Sequence, residues 1–342
     1  GEDTLSLHDA LPIWPLNSQR RSVAMQLFCQ PMEWGLELTG WGRPIGLGID
    51  RQQRLLVTDM DCHTLVRFDA DYRHYQCHSG PGAMWDGGHQ VCAGTTTARP
   101  KHPARGWNGP HGVVADGAGS LLVTCYYDPM IVAVAPGGAA RTLIGHEYLK
   151  GPATTQLDKQ GRLLVAEYAL NLLLAFGPNG DYLGRLGLAA DGTALAFDTS
   201  PAGVTATQSM GGFDRLHMAV SVQDSSILVA DTWNNRLQRF SNEGTLLDWL
   251  ADGQGWTTSA TGPLRTPLPH IDRPVAIDQR DSGQLLVTAW GSSKVSLLAS
   301  NGMPIETKEL PRLNKPYDAR FLGEGIVIAD THNGRVLVVD KI

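Results

Sequence analysis

Three side chains able to bind a metal ion or move a proton, His111, His217 and Tyr317, occupy one position of an internal repeat. Each directly follows the residue that opens its repeat: Pro110, Leu216 and Pro316. Imidazole nitrogens suit zinc, copper, iron or nickel, and three convergent ligands with an open position are the usual arrangement of a catalytic zinc site. A tyrosine fits such a set as a phenolate, because a cation favours the charged form, or it serves as an acid–base group. The chemistry in view is a metal-dependent lyase or hydrolase reaction on a small molecule or peptide. The divalent transition metal, zinc foremost, would polarise a substrate oxygen or activate water. The alternative is a non-catalytic scaffold for a protein or peptide, in which the histidines hold only water and Tyr317 fills space.

The elements that position these residues recur six times. Leu216 to Phe240, LHMAVSVQDSSILVADTWNNRLQRF, reads as three antiparallel strands: an apolar run, a polar turn, a run closing on Asp231, a tight turn and a third run. The same cadence begins at Arg43, Gly109, Gly151, Arg273 and Lys315. The opening residues Pro110 and Pro152, and likewise Pro274 and Pro316, are about 42 residues apart, the length of four short strands with tight turns. Across the six copies, the residue after the opening position is Ile45, His111, Ala153, His217, Val275 and Tyr317, so alternate repeats carry the polar groups.

A Gly-Pro or Arg/Lys-Pro opening, an "LLVAD" strand and an "NxRV" turn resemble the NHL-repeat family, over roughly nine-tenths of the chain. The resemblance implies an all-β, six-bladed β-propeller, one repeat per blade. In such a ring His111, His217 and Tyr317 are a third of a turn apart and converge on the axis. Leu36 to Trp41 alternates like an outer strand, whereas the last repeat ends after its third strand. The N-terminal segment is therefore expected to close the ring by supplying the missing outer strand. The same register is similar to the peptidyl-α-hydroxyglycine amidating lyases, whose zinc is held by three histidines from alternate blades. His111 and His217 match that pattern; Tyr317 stands in place of the third histidine. The family's catalytic arginines would fall at Met60 and Thr232, and Tyr168 lies one residue from the place of its catalytic tyrosine. A gluconolactonase-like calcium site would need a Glu where Ile45 stands.

Further groups are expected on the same face. Tyr126, Tyr168 and Trp290 would wall an aromatic pocket. Asp59, Cys125, Glu167, Asp231 and Asp330 close the second strands; the recurring Asp points to a hairpin role, and Glu167 and Cys125 depart from it. Arg43, Arg215, Arg273 and Lys315 precede the opening residues and, with the basic run Arg99 to Arg105, form a positive rim. Tripartite-motif NHL propellers bind RNA through such a face. Here the net charge of −6 makes nucleic acid a poor partner, and anionic small molecules or protein carboxylates better ones. Ligand contacts are thus assigned to Tyr126, Glu167, Trp290, Arg43 and Arg273, and proton transfer to Tyr317 and Tyr168. Three long insertions, Pro81 to Asn108, Leu188 to Asp214 and Asp252 to Asp272, are expected to crowd this face as a rim or lid.

Residues 1–24 resemble translated adapter sequence and are set apart from a single domain spanning 25–342; there is no initiator Met. No apolar run approaches the roughly 20 residues that span a bilayer. A soluble protein is expected, secreted or periplasmic if a signal peptide preceded this sequence. Of five cysteines, Cys77 and Cys92 are spaced for a loop disulfide, with reduced thiols the alternative. Cys62-His63, Cys77-His78 and His89-x-x-Cys92 are ligand types at spacings that match no compact zinc module. There is no nucleophile elbow, phosphate loop or dinucleotide fingerprint.

Overall fold

The computed structural model describes residues 27–340 except 87–88, 91, 94–106, 200–205, 251–254, 259–270 and 306–309. Six sheets, antiparallel except for one short parallel pair at the outer edge of the sixth, form a six-bladed β-propeller, each sheet one blade. The inner strands are Pro44–Ile49, Pro110–Ala115, Pro152–Leu157, Met218–Ser221, Pro274–Gln279 and Asp318–Leu322. Proline suits the head of an inner strand because that edge needs no further ladder donor. The second strands (LLVTD, LLVTC, LLVAE, ILVAD, LLVTA, GIVIAD) are buried throughout, being sandwiched between neighbouring blades.

The carboxylates that end four of the second strands act on backbone. Asp59 accepts from the N–H groups of Gly42 (2.7 Å) and Arg43 (3.0 Å), Glu167 from Gly151 (2.7 Å), Asp231 from Asp214 (2.8 Å) and Asp330 from Asn314 (2.7 Å). Each therefore ties a second strand to the loop that opens its own blade. Threonine hydroxyls then tie blade to blade. Thr58 donates to the carbonyl of His111 (2.8 Å), Thr154 to that of His217 (2.7 Å), Thr232 to that of Pro274 (2.7 Å) and Thr331 to that of Pro44 (2.6 Å). Gly46 lets the first blade close against the second, since a Cβ there would lie 2.1 Å from the carbonyl oxygen of His111.

Gly35–Thr39 pairs antiparallel with the last strand, Arg335–Val339, and Phe28–Met32 adds outside it. The sixth blade thus takes strands from both ends of the described chain. Trp41, just past this strand, is buried with Leu38, Leu47, Val57, Val66, Val327 and Val336 where the sixth blade meets the first. At ~1.5–3 kcal/mol per large apolar side chain, this seam resists opening of the ring.

The described parts of the insertions extend blade edges. His89–Gln90 pairs with the fourth strand of the first blade, Ala194–Asp198 with that of the third and Trp256–Thr257 with that of the fourth. An unpaired outer edge exposes N–H and C=O groups, and these additions satisfy part of it. The rest of the expected lid, including Arg99 to Arg105, lies outside the described residues, as do residues 1–24.

Candidate functional site

The start of each inner strand points at the axis, and the three residues singled out there meet. Ring centroids are 6.4 Å apart for His111 and His217, 5.9 Å for His111 and Tyr317, and 6.1 Å for His217 and Tyr317. The triangle is nearly equilateral, as alternate blades of a six-membered ring require. Ile45, from an intervening blade, packs with Met60 against Tyr317. The pocket over the triangle is lined by Tyr126, Tyr168, Thr232, Trp233, Arg273, Val275 and Trp290 besides the three rings. Its free space is about 20 Å³, room for one water-sized sphere.

His217 has a definable tautomer. Thr232 Oγ1 spends its single hydrogen on the carbonyl of Pro274, so at 3.0 Å from His217 Nδ1 it accepts, and Nδ1 carries the proton. An Nδ1 proton leaves Nε2 unprotonated, the form that serves as ligand or base, and the Arg215 carbonyl also accepts from the ring. A partner that fixes the tautomer in this way is the usual second layer of a metal-binding histidine. His111 Nδ1 is buried with no hydrogen-bond partner. Burial is the main force lowering both imidazoles, His111 to about 3, with the neighbouring His217 and Arg43 adding to it, and His217 to about 4. Both are neutral at pH 7. Burial also raises the Tyr317 phenol well above its ordinary value, with Tyr168 nearby reinforcing it. Tyr168 rises for the same reason, partly opposed by Arg215 and by hydrogen bonds from Trp233 and Arg215.

Several assigned residues are employed differently. Glu167 does not line the pocket: its carboxylate accepts from Lys150 and Gly151 N–H, and burial raises it to about 7. Arg43 lies beside the pocket, paired with Asp61 (2.8 Å) and donating to the Tyr127 hydroxyl (3.1 Å). Arg273, Tyr126, Tyr168 and Trp290 do line it. Of the Cys-His pairs, the side chains of His89 and Cys92 lie outside the described residues, and the histidines of the other two are engaged elsewhere. His78 uses both ring nitrogens, on the Gly138 carbonyl and the Gly80 N–H, and His63 Nδ1 accepts from Gly109 N–H. Cys29, Cys62, Cys77 and Cys125 are free thiols, so Cys77 is in no disulfide. Among the described residues no three His, Cys, Asp or Glu side chains are grouped to hold a metal; at the axis the third group is a phenol. Thr232 and Trp233 went unassigned in the sequence, because their contribution is to hold His217 and Tyr168 and they carry no ligand signature of their own.

No family model matches the chain, and no curated protein matches it. Among solved structures, the fold is similar to virginiamycin B lyase from Staphylococcus aureus at 14% identity, covering 93% of this chain and 100% of that one, with a TM-score of 0.56. A putative gluconolactonase is similar at 13% identity over 93% of both chains, TM-score 0.53. The PQQ-bound aldose sugar dehydrogenase of Streptomyces coelicolor is similar at 13% identity over 92% and 98%, TM-score 0.54. At such identities the likeness is one of fold, and that fold is the six-bladed propeller.

Proposed function

We propose that the axial pocket is the active site of a lyase or hydrolase in which His111, His217 and Tyr317 hold a divalent transition metal, zinc foremost. The observation that carries this reading is the convergence of the three rings around one buried, partnerless imidazole nitrogen, His111 Nδ1. The donor set fits: two neutral imidazoles and a phenol are N and O ligands of the kind zinc accepts, and the pocket they help to line has room for one small sphere. When bound, the ion supplies a Lewis acid at the floor of the pocket. Thr232 holds His217 through Nδ1. Tyr168, held by Arg215 and Trp233 and protonated across neutral pH, is the group placed to give a proton to a departing oxygen or nitrogen. The enzymes similar in fold, a lyase, a putative lactonase and a sugar dehydrogenase, are compatible company for such a site.

Loading with Cu²⁺ tests the ligand set without needing a substrate. A phenolate-to-copper absorption band is expected in the wild type, absent from Tyr317→Phe, with one ion bound per chain. Copper that binds without the band, or with a band indifferent to Tyr317→Phe, would remove the tyrosine from the set.

One observation favours a second reading, a binding scaffold for a peptide or protein. The free space of about 20 Å³ is far below the ~300 Å³ of ordinary small-molecule pockets. A ligand that binds the face with unchanged affinity in His111→Ala/His217→Ala, and is not turned over, would establish that reading.

A further inference from the structure

At the mouth of the axial pocket cations and aromatic rings alternate along an arc. The Arg215 guanidinium lies 5.9 Å from the ring centroid of Tyr168 and 4.9 Å from that of Trp233. Arg273 lies 4.9 Å from the Trp233 ring centroid and 5.6 Å from that of Trp290. The Lys315 ammonium lies 4.0 Å from Trp290. Each indole is shared by two cations, which brings neighbouring charges within about 10 Å, close to the distance over which salt screens them.

The arrangement holds positive charge that no ion pair among the described residues neutralises, with Asp272 near Lys315 offsetting part of it. Among the described residues none of Arg215, Arg273 and Lys315 forms an ion pair, in contrast with Arg43 on Asp61 and Arg236 on Asp231. Aromatic faces offset part of the repulsion; Arg215 also donates to the Tyr168 hydroxyl and Lys315 to the Gly291 carbonyl (3.3 Å), acceptors that carry no negative charge. Trp290 Nε1 is a further buried donor without an acceptor. Burial and then the charge of Arg273 push the Lys315 ammonium down, and Asp272 opposes them only in part.

The backbone supplies an independent sign. Arg215, Arg273 and Lys315 have φ of 53°, 49° and 48°, and the equivalent residue of the second blade is Gly109 at 64°. Left-handed backbone costs a residue with a Cβ roughly 1–2 kcal/mol, and glycine nothing. Long cationic side chains thus stand at three positions where glycine is cheaper.

We propose that Arg215, Arg273 and Lys315 form an oxyanion subsite that seats a carboxylate or phosphate of an acidic substrate at the mouth of the axial pocket. The assignment deepens the catalytic reading and rests on the pocket being the ligand site. It names the substrate class: an anion held by the arc, with its adjoining part against Trp233 and Trp290 and its reacting bond over the three rings. Arginine forks recognise either oxyanion, so the two sources are separated by experiment.

The test is titration of metal-free protein with inorganic phosphate and, separately, with succinate, at constant ionic strength. Tryptophan fluorescence and heat are followed for wild type, Lys315→Gln, Arg273→Gln/Lys315→Gln and His111→Ala/His217→Ala. Saturable one-site binding of at least one anion is expected, weakened a few-fold by Lys315→Gln and about tenfold or more by the double charge removal. Binding within about twofold of wild type is expected in the histidine variant, because the arc does not use the imidazoles. Phosphate alone would indicate a phosphorylated substrate, succinate alone a carboxylate one, and either supports the subsite. No saturable binding of either anion, or binding unchanged in both charge-removal variants, overturns it. Anion binding in a protein that takes up no metal would retain the subsite and discard the metal, which keeps the two failures distinct.

Discussion

Around His111 the axis is lined by groups waiting for partners: His111 Nδ1 and Trp290 Nε1 are buried and unpaired, and among the described residues the cations of the arc form no ion pair. Three residues farther along the inner strands the pattern reverses. Arg320 donates to Asp318 Oδ2 (3.2 Å), Asp318 accepts from Leu47 N–H (2.9 Å), and Asp278 accepts from Phe321 N–H (2.7 Å); Arg320 Nε and Asp318 Oδ1 face each other at 3.1 Å as opposite charges without a hydrogen bond. Both regions place ionisable groups inside a propeller channel. One spends them on other parts of the ring, with Leu47 joining the first blade to the sixth, and the other keeps them uncommitted. Buried polar groups left unsatisfied cost ~1–3 kcal/mol each, so the uncommitted end is where a ligand is expected to recover that free energy.

Breaking the committed end should give the largest effect. Arg320→Met leaves Asp318, 3% exposed, without its counter-ion, and a loss of ~3–5 kcal/mol is expected in urea unfolding at pH 7. His111→Ala/His217→Ala, which removes an unpaired nitrogen, should change stability by no more than ~1 kcal/mol. Equal losses in the two variants would erase the contrast.

Gly46→Ala should cost ~1–3 kcal/mol and weaken metal uptake, because its Cβ falls 2.1 Å from the His111 carbonyl. Gly137→Ala, with nothing within 4 Å of the added carbon, is the control and should be silent. Unimpaired metal uptake in Gly46→Ala would show that the approach of the first blade does not set the position of His111.

Acidity sharpens the comparison with a smaller effect. The folded-state histidines sit near 3 and 4, below the ordinary 6.5, so the unfolded chain binds more protons. In metal-free protein each therefore removes up to ~1.4 kcal/mol per pH unit as pH falls from about 6.5 toward its folded value. Asp318, raised to about 6 by burial, has the opposite slope: the folded state binds the extra proton, and stability grows as pH falls from about 6 toward 3.8. Urea midpoints at pH 7, 5.5 and 4.5 should show His111→Ala/His217→Ala gaining on wild type at each acid step. Parallel profiles would contradict neutral, buried imidazoles.

The propeller was legible because a strand side chain has only two faces and the repeat occurs six times, so one register reads the whole inner wall. The meeting of His111, His217 and Tyr317 followed from that register and from sixfold geometry. Residues whose role depends on where a long side chain turns were not legible. Arg43 was expected to contact ligand and is held by Asp61 and Tyr127; Glu167 was set apart from the recurring Asp, yet performs the same backbone task. The insertions were expected to cover the face, but their described strands satisfy blade edges, a demand of backbone hydrogen bonding that side-chain pattern does not reveal.

The central claim is that the uncommitted end of the axis holds a metal. It is tested most directly by elemental analysis of protein purified without an affinity tag, beside His111→Ala/His217→Ala. About one zinc, copper, iron or nickel per chain in wild type and none in the variant is the predicted result. No transition metal in either preparation, even after incubation with Zn²⁺, would contradict the claim.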